Sequence, residues 1–156
     1  MSPRSPIIAL LISLSVGLTA LPCSADENNS VLFNGHDLTG WVIENGGQFA
    51  VKDGFLQVNR GTGWLRSEKT YADFTLTYEV RFLEERANSG VFVRTGSTSK
   101  DDKNGWPDNG YQVQCMDKSD EGRIFGSLID YGGGPFDEML DQPALAEAFN
   151  PTGEWN

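Results

Sequence analysis

The amino-acid sequence predicts an all-β domain, a sandwich or a barrel, and three observations carry that prediction. Short apolar runs alternate with Gly, Asn, Asp and Pro turn signals at intervals of roughly eight to twelve residues, the spacing of successive strands in such folds. From Phe74 to Phe82 apolar and polar residues alternate without a break, so one set of side chains faces a core and the other faces water. The chain also holds 18 glycines with 9 Phe, 4 Trp and 4 Tyr, and few of its segments show a helical apolar period.

Taken in order, the chain opens with an address. Arg4 is the only charge before Ile7, and Ile7 to Leu21 runs without any charge. Such a run is short for a bilayer core of ~30 Å but fits the apolar centre of a secretory signal peptide. Cys23 and Ala25 supply the small side chains that signal peptidase needs, so cleavage after Ala25 is expected, with export to the periplasm or the extracellular space. Lipid anchoring at Cys23 is the competing reading, and Pro22 directly before that cysteine fits it poorly. Residues 1–25 are thus expected to be a signal peptide, 26–30 a polar tether and 31–156 one folded domain with no transmembrane segment. Cys115 is then the sole cysteine, and the core must stabilise the domain without a disulfide.

Strands are expected at Trp41–Ile43, Gln48–Lys52, Phe55–Asn59, Gly63–Ser67, Ala72–Leu83, Gly90–Thr95, Tyr111–Asp117 and Ile124–Asp130. Asp53-Gly54 between two apolar runs marks a two-residue hairpin, because both central positions of that turn need positive φ. Asn104-Gly105 and Asn109-Gly110 mark turns around Trp106-Pro107. Tyr131 to Pro135 reads as a flexible glycine loop, a short helix fits Glu138 to Phe149, and Glu154-Trp155-Asn156 looks like the start of another strand.

Charge and residue counts remove several function classes. With 12 Lys+Arg against 22 Asp+Glu the formal net charge is −10, and no basic stripe exists to hold a phosphate backbone. The charge argues against a nucleic-acid partner, and neutral or polar ligands are expected. His36 is the only histidine, so no two-histidine metal or acid/base site can form, and a turn histidine is the expectation. The loop Asp101 to Asn109 is rich in oxygen ligands, but Lys103 and Gly105 break the EF-hand order, so no metal site is assigned. No glycine pattern cradles a phosphate, and no cofactor is assigned.

The best polar cluster comes from period two. Asn88, Phe92 and Arg94 share one face of a strand, and Gln112 and Gln114 share one face of the next. With the valines and Cys115 turned inward, Arg94, Gln112 and Gln114 meet on an outer face suited to sugar hydroxyls or a developing oxyanion. A solvated sheet face with a structural arginine accounts for the same pattern. Trp106, an indole in a polar loop, fits a stacking platform for a sugar ring or a cap on the core.

Leu32-Phe33-Asn34-Gly35-His36-Asp37-Leu38-Thr39-Gly40-Trp41 resembles the opening signature of the 3-keto-disaccharide hydrolase domain family. The similarity continues through Gly63-Trp64-Leu65, Tyr71-Ala72-Asp73-Phe74, Asn88-Ser89-Gly90-Val91 with Arg94, Gly110 to Gln114 with Asp117, and Gly153 to Asn156. The resemblance implies a concanavalin-like, laminin-G-like jelly roll of two antiparallel sheets, one curved around a carbohydrate groove. It implies an enzyme that cleaves 3-keto-glycosides or disaccharides by C2 deprotonation and β-elimination, followed by hydration. Arg94 would then clamp the enolate and Asp117 would be the base, with Asn88, Gln112, Gln114 and Trp106 binding substrate. Gln112 stands where the family pattern leads one to expect glutamate, and Phe125 where tyrosine is common, which leaves a non-catalytic carbohydrate-binding module as the alternative. The family pattern also continues beyond a Gly-Glu-Trp-Asn stretch, so C-terminal strands are expected to be missing here.

Overall fold

The computed structural model of the protein describes residues 8–11, 16–17, 30–101, 103–117, 125–132, 144 and 147–156. The strands are β1 (Ile8–Leu11), β2 (Val16–Gly17), β3 (Trp41–Glu44), β4 (Gln48–Lys52), β5 (Phe55–Arg60) and β6 (Trp64–Ser67). They continue with β7 (Thr75–Leu76), β8 (Glu79–Phe82), β9 (Asn88–Val93), β10 (Tyr111–Met116) and β11 (Leu128–Asp130). One sheet has the order β4-β5-β1-β8, a second β11-β10-β9, and two pairs are β2-β7 and β3-β6. Every ladder is antiparallel, the all-β architecture of a sandwich that the sequence predicts.

The β4–β5 hairpin shows the local cause most clearly. Asp53 (φ 55°) and Gly54 (φ 82°) both lie in the left-handed region, so the two strands leave the turn with matching twist and Lys52 pairs with Phe55. The expected single strand from Ala72 to Leu83 is instead two strands. β7 pairs with β2, β8 pairs with β1, and Thr77–Tyr78 carries the chain from one sheet to the other. The alternation survives because inward and outward positions persist while the ladder partner changes.

β8 is paired along both edges. Val80 exchanges backbone hydrogen bonds of 2.9 Å with Asn156, and Trp155 bridges to Arg81, so the expected strand start at Glu154–Asn156 lies against it. β1, within the sequence assigned to the leader, fills the slot between β5 and β8. Its position was not legible in the sequence. Of the expected helix at Glu138–Phe149, Ala144, Glu147 and Ala148 are helical. The remainder, except Phe149, lies outside the described residues, as do Gly133, Gly134 and Pro135 of the expected flexible loop.

The core forms where these sheets face. Phe33, Leu56, Val80, Phe82, Ala87 and Cys115 are buried together, with Phe49, Val58, Leu76, Tyr78 and Val91 packed around them. Phe82 is fully buried, edge-on to Phe125 at 6.1 Å and tilted against Phe149 at 5.8 Å.

The Leu32-to-Trp41 signature is a turn held by its own side chains. Asn34 Oδ1 accepts from the backbone N–H of His36 (2.8 Å) and Asp37 (3.0 Å), and Asn34 Nδ2 donates to Asp37 Oδ1 (2.7 Å). Asp37 Oδ1 also accepts from Thr39 N at 2.9 Å. These donors, led by the Asn34 amide, lower the Asp37 carboxyl to about 2. His36 sits exposed on this turn, as expected from the sequence.

Candidate functional site

The site is built on β9 and β10. Their register pairs Phe92 with Gln112, Gly90 with Gln114 and Asn88 with Met116, so these six side-chain positions share one face. Val91, Val113, Ser89 and Cys115 share the other, as the period-two reading requires. A concavity of about 790 Å³, lined by residues of both faces of β9 and by core side chains such as Leu56 and Tyr78, lies within the roughly 300–1,000 Å³ that small-molecule sites occupy. Asn88, Arg94, Trp106, Gln112 and Gln114 all line it, so five of the six expected site residues come together.

Each is positioned by a distinct local cause. Gln112 lies flat over Gly90: a Cβ on that glycine would stand 2.4 Å from Gln112 Nε2 and 2.5 Å from its Cγ. The missing side chain is what lets the carboxamide settle against β9. Gln114 is only 4% exposed, its Nε2 donates to Met116 Sδ at 3.6 Å, and its Oε1 has no hydrogen-bond partner among the described residues. An unpartnered buried acceptor costs about 1–3 kcal/mol.

Arg94 departs from the strand geometry assumed for it. β9 ends at Val93, and Arg94 takes φ 57°, a left-handed conformation that turns its side chain toward the Tyr71–Phe74 rim. There Nη1 donates to Ala72 O and Nη2 to Asp73 Oδ1 at 3.0 Å, with the guanidinium 6.0 Å from the Phe74 ring centroid. Asp73 is 91% exposed, so this ion pair is screened and readily exchanged. The guanidinium, half exposed, stays open to a ligand.

Trp106 belongs to an aromatic wall. Its ring lies edge-on to Tyr131 at 6.2 Å, Tyr131 lies edge-on to Phe92 at 4.9 Å, and all three line the concavity. Asp117 does not reach it. The chain passes Met116 and turns Asp117 inward, 7% exposed, where Oδ2 accepts from Arg86 N at 3.0 Å and so holds the turn before β9. Its parity with Val113 and Cys115 is the physical reason, and it leaves Asp117 structural by position. Tyr78, which also lines the concavity, has its Oη 3.8 Å from Cys115 Sγ. Burial pushes the Cys115 thiol up to about 11, against the opposing pull of that hydrogen bond, and burial raises the Tyr78 phenol still further above its ordinary value.

Sequence reading missed three further cations of the lining. Arg60 closes β5, Arg66 lies on β6 and Lys69 follows it, and all three line the concavity. They are scattered along the chain and form no motif, so only the fold brings them together. Among the described residues the lining includes no Asp, Glu or His, and no group of three or more His, Cys, Asp or Glu is placed to hold a metal.

The fold and the concavity define an all-β sandwich domain with a concavity lined by carboxamides, aromatic rings and aliphatic core side chains. A family model described as a 3-keto-alpha-glucoside-1,2-lyase-like domain matches residues 28–156, and the chain belongs to that family. Neither the curated proteins nor the solved structures give a match to it. Among the described residues no helix is long and apolar enough to cross a membrane.

Proposed function

We propose that this domain cleaves glycosides oxidised at C3 of the sugar, an oxidised disaccharide or a related 3-keto-glycoside. The observation that carries the proposal is the pair of carboxamides, Gln112 and Gln114, on the lining of the concavity in a chain of this family. A C3 ketone acidifies the C2 hydrogen. A base takes that proton, the electron pair moves into an enolate, and the C1–O bond breaks to release the aglycone and leave a C1=C2 enone. Water then adds its hydroxyl to C1 and a proton to C2, completing net hydrolysis. Such a route needs an enolate clamp more than the paired carboxylates of ordinary glycosidases. Arg94 supports the clamp, since its Nε–H makes no hydrogen bond among the described residues. Asn88, Gln112 and Gln114 would hold hydroxyls, and Trp106 would stack on a ring face.

One observation favours a second reading, a carbohydrate-binding module without turnover: the described lining residues offer no carboxylate or imidazole as a base. Incubation with a 3-keto-glucoside separates the two. The enzyme gives enone absorbance and free aglycone, whereas binding measured by calorimetry with neither product selects the module.

Export is proposed on the uncharged Ile7-to-Leu21 run. Because Ile8–Leu11 lies in that run and in the sheet, cleavage after Ala25 would free one edge of β5 and one of β8. Intact mass of exported material tests the cut. Retained leader mass, or acyl mass on Cys23, would refute it.

A further inference from the structure

The net charge of −10 points to neutral or polar ligands, yet the concavity is lined by cations. Arg60, Arg66, Lys69 and Arg94 line it, with no Asp or Glu among the described lining residues. Arg66 is partly neutralised, since its Nε and Nη2 donate to Glu44 Oε1 at 3.0 and 2.9 Å. Arg94 is held by the exposed Asp73, a pair that water and salt already weaken. Arg60 and Lys69 are exposed, and their side chains make no hydrogen bond or ion pair among the described residues.

Three of these cations stand along one strip of chain. Arg66 and Lys69 are three residues apart, as are Lys69 and Ala72, whose carbonyl takes Arg94. A span of three residues reaches at most roughly 10 Å, so neighbouring cations along the rim can address one ligand. The distant acidic surface does not cancel this, because at physiological salt charges beyond about 8 Å are largely screened. Resting on the carbohydrate reading proposed above, we infer that the ligand of this site is an anionic saccharide. Its carboxylate, phosphate or sulfate lies against Lys69 and Arg94, with Arg60 on the same lining, while its hydroxyls meet the Gln112 and Gln114 amides. The acidic exterior then keeps anions away from everywhere except the site itself.

Calorimetric titration of the full chain tests this with four probes: maltose, a glucuronic-acid disaccharide, maltose phosphate and inorganic sulfate. The expected result is affinity about tenfold higher for an anionic saccharide than for maltose, falling toward parity as salt rises to about 0.5 M. The stronger of the uronate and phosphate arms identifies the anionic group. Lys69→Gln with Arg60→Gln should remove most of the preference, while Lys52→Gln, an exposed cation outside the concavity, should leave it intact. Equal affinity for maltose and both anionic saccharides overturns the inference and leaves the carbohydrate reading standing. Sulfate binding with no saccharide binding overturns the carbohydrate reading instead, and silence from all four probes overturns both. Should the double variant fail to fold, the salt dependence of the unaltered chain decides alone: a preference that does not fall with salt refutes the rim.

Discussion

Replacing Gly90 by alanine should separate binding from stability. The added Cβ would lie 2.4, 2.5 and 2.6 Å from Gln112 Nε2, Cγ and Cδ, each roughly 1 Å inside ordinary contact. Gln112 is a side chain with rotatable bonds, so it swings away while the backbone stays. Gly90 is not in the left-handed region, and alanine in extended backbone reduces unfolded-state freedom, a gain of about 0.4–1 kcal/mol. The ligand loses one neutral hydrogen bond, about 0.5–1.5 kcal/mol net, which corresponds to roughly two- to twelvefold in affinity. Thermal melting and saccharide titration of the same sample therefore diverge: Tm holds or rises while affinity falls. Gln112→Ala should give the same loss, and the double variant should add little to either, since both remove one contact. Unchanged affinity in a folded Gly90→Ala protein, or a fall in Tm of many degrees, would refute the reasoning.

Three further outcomes follow from the geometry. Asp117→Asn keeps an oxygen for Arg86 N, so turnover of a 3-keto-glycoside should stay within about twofold of the unaltered chain; a loss on the roughly 10²–10⁴ scale of a missing base would return Asp117 to catalysis. Asp37 has its carboxyl lowered to about 2 by the Asn34 and Thr39 donors, so the stability it contributes is present above the ordinary carboxylate range and lost as pH falls through about 2. Carboxyl NMR titration should show that low midpoint, and Asn34→Ala should move it upward; a midpoint near 3.8 in the unaltered protein sinks the assignment. Cys115, 1% exposed and with its thiol pushed up to about 11, should resist thiol reagents at neutral pH and react at once in denaturant. Rapid labelling of the native protein would contradict that burial.

Much of the scaffold was legible because its causes are local. Asp53-Gly54 names its turn type in two letters, and the Gln112/Gln114 alternation needs only the strand period to put both amides on one face. What escaped depends on long-range geometry. No residue near Thr77–Tyr78 announces a change of sheet, since alternation is blind to which strand supplies the hydrogen bonds. Period two places Arg94 correctly only if β9 continues, and the left-handed turn at that residue ends the rule one position early. The cationic rim is the clearest case. Arg60, Lys69 and Arg94 are unremarkable one at a time, and whole-chain charge hid their common location.

The four tryptophans differ in a way that gives the molecule its own optical probe. Trp41 donates its indole N–H to Leu32 O at 3.1 Å, Trp64 to Ser99 Oγ at 3.1 Å, and Trp155 lies 4.6 Å beneath the Arg81 guanidinium. Trp106, 37% exposed on the lining of the concavity, has none of these ties among the described residues. Its emission should be the reddest of the four and the first quenched by iodide, and a sugar seated against it should shift the spectrum to the blue without any label being attached.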